Sequence, residues 1–373
     1  MLRGIRGAPV VVLFVTAIAA AAAPPKLERI KVAADGRGFA TESGKPFLPW
    51  GFNYDHDDKG RLLEDYWDAE WSSVVGDFAE MKALGGNVVR IHLQTGKFLV
   101  APDRPNEKAL AKLRDLVALA ERTGLYLDVT GLGCYHKKDV PAWYDELDEK
   151  GRWGAQATFW EAVAKAVADS PAIFCLDLMN EPVVPGGKRA ARDWLGPAFG
   201  DKHFVQVITL DQAGRPRPEI ARRWIEHLVA AVRKTNARHL VTVGLVDWSL
   251  ERPGLTSGFV PSKVAGKLDF LCVHVYPQRK KLAEASETLA GFQVGKPVVI
   301  EETFPLQCSA LELVDFLARE RERHAGVVSF YWGKTPEEMA KSKELKDAIV
   351  RDWLQAFLAA NPNRAEAKPA VKK

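Results

Sequence analysis

The chain has 373 residues, 47% of them hydrophobic and 27% charged, with a formal net charge of +4. That is a globular balance with material for a large core. The positive excess sits at the two ends, in Arg3 and Arg6 and in Arg364, Lys368, Lys372 and Lys373 against Glu366. The near-neutral body gives no reason to expect nucleic acid or an anionic surface as partner.

Arg3 and Arg6 precede an apolar stretch from Ala8 to Ile18, then alanines from Ala19 to Ala23 ending at Pro24-Pro25. A charged, apolar, small-residue order of this kind is a secretory signal, here residues 1–23. The apolar run is short for a membrane span of about 20 residues. The protein is therefore expected outside the cytoplasm, secreted or periplasmic, with no membrane association once the signal is cleaved.

After the signal, apolar runs of strand length alternate with amphipathic helical stretches. The strand candidates are Phe47–Asn53, Asn87–Leu93, Tyr126–Thr130, Ile173–Asn180, His239–Gly244, Phe270–Tyr276, Pro297–Glu302 and Val327–Trp332. Such short, continuous apolar runs fit parallel strands buried on both faces. Helices are predicted over Trp71–Leu84, Glu107–Thr123, Gln156–Ala168, Glu219–Thr235, Lys281–Phe292 and Ala310–His324, with a closing helix over Pro336–Ala360. Gly85-Gly86 and Gly124 stand where two of these helices should stop.

Eight strands mostly separated by helices predict an α/β fold, a single (β/α)8 barrel occupying residues 24–360. An open doubly wound sheet would usually carry a glycine-rich phosphate turn after its first strand. Here that strand runs into Gly51-Phe52-Asn53-Tyr54 instead. A long insertion, Val183–Pro218, follows the fourth strand, and its Trp194, Phe199 and Phe204 could line a cleft or simply anchor the loop. The tail from residue 361 to 373 reads as disordered. The four cysteines, Cys134, Cys175, Cys272 and Cys308, match no zinc or disulfide pattern and are expected as free thiols.

Two strands end in acids: Asn180-Glu181-Pro182 closes the fourth, where Pro182 should stop the ladder, and Glu301-Glu302 closes the seventh. Strand C-termini face the reactive end of such a barrel. Cleavage of a glycosidic bond needs two carboxyl groups: one protonates the leaving oxygen, the other handles the oxocarbenium-like centre. The first must hold a proton and the second must stay ionised. Glu301 and Glu302 are neighbours on a strand and point oppositely, so only one can serve.

With these strand ends in view, the chain resembles glycoside hydrolase family 5, the cellulase-like retaining glycosidases, from about Phe47 to Trp332. The family's strand-four motif is Asn-Glu-Pro, here Asn180-Glu181-Pro182. The resemblance implies Glu181 as acid/base and Glu302, in Glu301-Glu302-Thr303-Phe304, as nucleophile, with Glu301 a structural acid beside a basic neighbour. It implies that Arg90 supports the nucleophile, that Asn180 bonds the sugar 2-hydroxyl, and that Tyr276, beside His274, holds the nucleophile. Trp332 is implied as the floor under the cleaved sugar. The substrate implied is an oligo- or polysaccharide of β-glucan or β-mannan type, cleaved by a monomer that needs no cofactor and no metal. One departure stands out: where the family often has histidine at the end of strand three, this chain has Thr130, with His136 nearby. That puts the substrate in question more than the reaction.

From position alone, Trp50 and Asn53 end strand one, so either could touch sugar, with packing at least an equal reading for Trp50; His92, in line with Arg90, could face the cleft or be a core histidine. Asp55-His56-Asp57-Asp58 with Gly60 lacks the closing acid of a calcium loop and reads as a solvated turn. Trp67, Trp71 and Trp143 could stack on sugars. A carbohydrate-binding barrel without catalysis is the rival functional reading; a metal-dependent hydrolase ranks behind it for want of a His-x-His pair.

Overall fold

A computed structural model describes residues 26–252 and 256–366. The secretory signal expected over residues 1–23 lies outside the described residues.

The eight barrel strands are β1 (Trp50–Tyr54), β2 (Val88–Gln94), β3 (Tyr126–Gly133), β4 (Ile173–Asn180), β5 (Leu240–Val246), β6 (Leu271–His274), β7 (Val298–Glu302) and β8 (Gly326–Phe330). They pair in parallel in chain order and close, β8 against β1 and β4 against β5. The fold is a (β/α)8 barrel, and all eight strands are ones the apolar runs predict. Nearly every strand residue is buried, which is why period-two alternation is absent from the sequence.

The outer layer is α1 (Trp71–Ala83), α2 (Glu107–Thr123), α3 (Glu149–Val167), α4 (Arg217–Thr235), the short α5 (Pro261–Val264), α6 (Leu282–Gly291), α7 (Ala310–Arg319) and α8 (Leu345–Ala359). Helix α2 has the bounds its sequence predicts, capped by Asn106, whose side chain accepts from Lys108 N, and ended by Gly124 at φ 72°. Helix α3 starts seven residues before the predicted Gln156. Asp148 caps it by accepting from Gly151 N at 2.7 Å, and Gly151 and Gly154 had masked that first stretch. The predicted closing helix is broken in two, Pro336–Met339 and α8, by a turn at Lys341–Glu344.

Three departures concern the ends of the chain and the insertion. Phe47 does not begin β1. It belongs to an antiparallel sheet of Ile30–Val32, Phe39–Thr41 and Pro46–Phe47, separated from β1 by Pro49. This sheet closes the N-terminal end of the barrel. Phe39 meets Phe174 and Phe270 edge to face at 5.0 and 5.1 Å, and Phe47 meets Tyr126 at 4.9 Å. Each such pair contributes about 0.5–1.5 kcal/mol beyond the area it buries. The expected disorder from residue 361 is corrected for its first part: Asn361 is buried, donates to Gly85 O at 3.0 Å, and Asn363 donates to Leu48 O at 3.2 Å. Finally, Pro182 does not end pairing after β4. Pro182–Val183 pairs anew, in parallel, with Gln206–Val207 of the insertion.

The four cysteines are free thiols. Among the described residues, no helix is long and apolar enough to cross a membrane.

Candidate active site

The site is built from strand ends at the C-terminal mouth of the barrel. Glu181 follows β4 and Glu302 closes β7, and one oxygen of each, with one nitrogen of His274, lie within 4.8 Å of one another. Both acids line a cavity of about 510 Å3, together with Tyr276 and Trp332. Glu301, one residue before Glu302, is fully buried and does not line the cavity. The pairing of β6 with β7 shifts register here, and both acids reach Arg90 and His274, with Glu302 above and Glu301 beneath.

The backbone is bent to present these groups. Among the described residues five non-glycine residues have positive φ, and Glu181 (48°) and Trp332 (60°) are two of them. Conformations of that kind cost about 1–3 kcal/mol each and persist where surrounding structure enforces them. At Glu181 the enforcement is visible: its N–H donates to Gly244 O at 3.0 Å and its carbonyl accepts from Gln206 N at 3.3 Å. Trp332 stacks on Phe330 at 5.0 Å and 9° and meets Phe304 edge to face.

Beneath the cavity lies a charged network. Arg90, fully buried, donates through Nη1 to Glu302 Oε1 at 2.5 Å and to Asn53 Oδ1 at 3.0 Å. Its Nη2 donates to Asp177 Oδ2 at 2.9 Å and to Asn180 Oδ1 at 3.0 Å, and stands 3.4 Å from Glu301 Oε2. Tyr276 donates its hydroxyl to the second oxygen of Glu302 at 2.7 Å. His274 bridges two acids, with Nδ1 2.9 Å from Glu181 Oε1 and Nε2 3.2 Å from Glu301 Oε2.

These contacts set the protonation states. Burial pushes the His274 imidazole down, but Glu302, Glu181 and Glu301 outweigh it and raise it to about 10. His274 is thus an imidazolium that donates from both nitrogens. Burial pushes Glu301 up, yet Arg90 and His274 overcome this and hold it at about 2. Burial, with the Glu181 charge, leaves Glu302 above its ordinary value, although His274, Arg90 and the Tyr276 hydroxyl favour its charged form. Burial and the Glu301 charge raise Asp177 to about 6, and the same two causes carry Asp128 well above the carboxylate range.

The other sequence-selected residues divide cleanly. Asn53 is buried and donates to Glu301 O and Ser329 O, so it orients Arg90 and does not reach the cavity. His92 turns inward to Tyr135 Oη and Asn53; burial, then Arg90, hold it well below its ordinary value, hence neutral. Asn180 accepts from Arg90 and donates to Phe204 O at 3.1 Å. Thr130 donates to Asp177 Oδ2 at 2.7 Å, so it supports the acid behind Arg90, while His136 stands outside the cavity, 3.6 Å from Asp201. In the insertion, Phe199 and Phe204 line the cavity, whereas Trp194 is an anchor, buried and donating to Asp145 Oδ1 at 2.7 Å. Trp50 stacks on Phe357 at 4.5 Å; Trp67, Trp71 and Trp143 are not on the cavity. Asp57 bonds Lys59 N, Arg61 N and the Arg61 guanidinium, but the expected solvated turn is corrected at its start: Asp55 is buried, pairs with His56 at 2.9 Å, and both line the cavity.

Two acid groups have metal-like spacing, Glu181–His274–Glu302 and Asp128–Asp177–Glu301. In the first the His274 imidazolium already pairs with both acids, and Arg90 pairs with Asp177 and Glu301 of the second.

Sequence reading missed Asp128, Asp177 and Gly244, all inside apolar strands. A Cβ on Gly244 would stand 2.9 Å from Glu301 Oε2, 3.0 Å from His274 Nε2 and 3.1 Å from Arg90 Nη2. A glycine in the middle of a strand is the signal that could have found it, since it marks close approach of other groups. Gly244→Ala should displace all three by a few tenths of an ångström, and we expect kcat/KM to fall about tenfold with the circular dichroism spectrum retained. An unchanged kcat/KM would show that the network tolerates the shift.

Compared with known proteins, residues 49–304 match the family described as Cellulase (glycosyl hydrolase family 5). A search of curated proteins finds no match. Among solved structures, the exo-β-1,4-mannosidase Op5Man5 from Opitutaceae bacterium strain TAV5 is similar at TM-score 0.63 and 17% identity, over 90% of this chain and 62% of that one. This chain thus spans under two thirds of that neighbour's length. The β-1,4-mannanase of the sea hare Aplysia kurodai is similar at TM-score 0.63 and 14% identity, over 92% and 100%. A GH5_18 protein from Streptomyces cattleya, solved with GlcNAc, is similar at 0.60 and 19%, over 87% and 82%. At such identities the likeness is one of fold.

Proposed function

The chain belongs to glycosyl hydrolase family 5 and is a glycoside hydrolase, and from that premise we propose that it cleaves a β-linked glycan by double displacement with retention. Glu302 attacks the anomeric carbon while Glu181 gives its proton to the leaving oxygen. Glu181 then takes a proton from water, which releases the sugar from Glu302. Arg90, Tyr276 and the His274 imidazolium favour the charged carboxylate of Glu302, and His274 orients Glu181. Trp332 lies under the sugar, and Asn180, engaged by Arg90 and Phe204 O, holds the backbone beside Glu181.

The observation that supports this reading is that one oxygen of Glu181 and one of Glu302 lie within 4.8 Å of each other, a nearest-oxygen distance that brings the two carboxyl groups together across the cavity. Retaining pairs stand about 5–5.5 Å apart, whereas inverting pairs leave room for a water at about 6.5–9.5 Å. The mannosidase and mannanase among the similar folds make β-1,4-mannosidic linkages the first to test, with β-glucans second. The composition of residues 1–23 supports action outside the cytoplasm.

The test is the anomer released first from β-1,4-mannan and β-glucan oligosaccharides, read by proton NMR before mutarotation. The β-anomer is expected. The α-anomer would refute double displacement.

A further inference from the structure

Two side chains on the rim of the catalytic cavity serve no packing need. Phe199 is 77% exposed and Leu306 59%, yet large apolar groups held in water forgo the gain of burial. Both line the cavity that holds Glu181 and Glu302. Phe199 lies in a tight turn of the insertion after β4, closed by two main-chain bonds with Lys202, of 2.8 and 3.2 Å. Leu306 follows β7, its N–H bonded to Phe304 O at 2.8 Å. The two therefore come from loops on different sides of the mouth. Pro197, Val205 and Phe304 line the same cavity, and Phe304 is itself part of the buried core. These five form an apolar wall from the core to the rim, while Asp55, His56 and Lys202 line the same cavity as its polar part.

Sugar hydroxyls need hydrogen-bond partners when they leave water, and Leu306, Val205 and Pro197 offer none. Exposed apolar surface inside a ligand cavity marks the contact for an apolar part of the ligand. We infer that the leaving group this enzyme releases is apolar: an alkyl chain or aromatic ring joined to a β-linked sugar, or short glycan, through the glycosidic oxygen. The inference rests on the glycosidase reading above and specifies its substrate. The sugar lies over Trp332, and the hydrocarbon lies against Phe199 and Leu306. The bond between the anomeric carbon and the glycosidic oxygen breaks, and the Glu181 proton passes to that oxygen. The hydrocarbon departs as an alcohol or phenol, and water supplies the new hydroxyl in the second step.

The test uses methyl, butyl and octyl β-D-mannosides and β-D-glucosides below their micelle concentrations, beside mannobiose and cellobiose. From methyl to octyl, kcat/KM is expected to rise at least about tenfold. Because both side chains are exposed, the double variant Phe199→Ala with Leu306→Ala should fold normally. It is expected to flatten the rise to within about twofold, with a loss on octyl glycosides at least about fivefold greater than any loss on the disaccharides. A flat series in the unmodified protein, or an equal loss on disaccharides and alkyl glycosides, would overturn the inference. Silence on every compound would fall on the glycosidase reading instead. Calorimetric binding to the Glu302→Gln protein then decides this one: octyl glycosides held about tenfold tighter than methyl support it, and equal affinities overturn it.

Discussion

Glu302→Gln is expected to lower kcat by about four orders of magnitude or more while leaving the protein folded and able to bind glycan. The amide keeps the shape of the carboxylate but loses its charge and its nucleophilic oxygen. The fold should stand because Arg90 retains Asp177 and Glu301 as partners, at 2.9 and 3.4 Å. The smaller Glu302→Ala opens room for a small anion. Azide entering from that face would perform one displacement in place of two, so an activated β-glycoside should yield a glycosyl azide of inverted configuration. Glu181→Ala should instead yield the retained azide, because there the anion meets the covalent intermediate. Product configuration by NMR separates the two roles. Retention of more than a tenth of activity by Glu302→Gln would sink the assignment of the nucleophile.

Arg90→Met should produce the largest loss of stability of any single change in the site. The guanidinium is fully buried among Glu302, Asp177 and Glu301, with Asp128 behind them. Removing it leaves buried acids without their counter-charge, which costs about 3–5 kcal/mol. The sign of the pH dependence follows. Without Arg90, burial lifts the folded-state pKa of these carboxyls above their unfolded values. A group so raised lends stability below its unfolded pKa and loses it as pH climbs through the folded one. The gap in Tm between variant and unmodified protein should therefore be widest at neutral pH and narrow toward about pH 4. Arg90→Lys keeps the charge but cannot fork between Nη1 and Nη2 partners, so it should recover part of the stability and little of the activity. A melting temperature for Arg90→Met within a degree or two of the parent at pH 7 would show that the acids are protonated already.

The strands were legible in sequence because parallel barrel strands are apolar throughout, so each appears as an unbroken run. Chemistry at strand ends was legible for the same reason: Glu181 and Glu302 are polar interruptions of apolar text, whereas Arg90, inside β2, was reached only through the family resemblance. What escaped was polar chemistry inside the strands. Asp128 and Asp177 sit within apolar runs and have no partner nearby in sequence; only closure of the barrel brings Arg90 to them. His92 was ambiguous because its direction depends on Tyr135, more than forty residues away. The sheet below the barrel escaped because its strands have two or three residues each, too few for any period to register.

That sheet contributes no reacting group, and it lies at the end of the barrel away from Glu181 and Glu302. Its removal would nonetheless be felt. A chain trimmed to begin at Trp50 would keep every side chain of the site but would lay Tyr126, Phe174 and Phe270 open to solvent. Contiguous aromatic surface of that kind promotes self-association. The first symptom of damage there would be precipitation, with the surviving soluble fraction still turning over substrate at its normal rate. Yield and turnover are thus governed from opposite ends of one barrel.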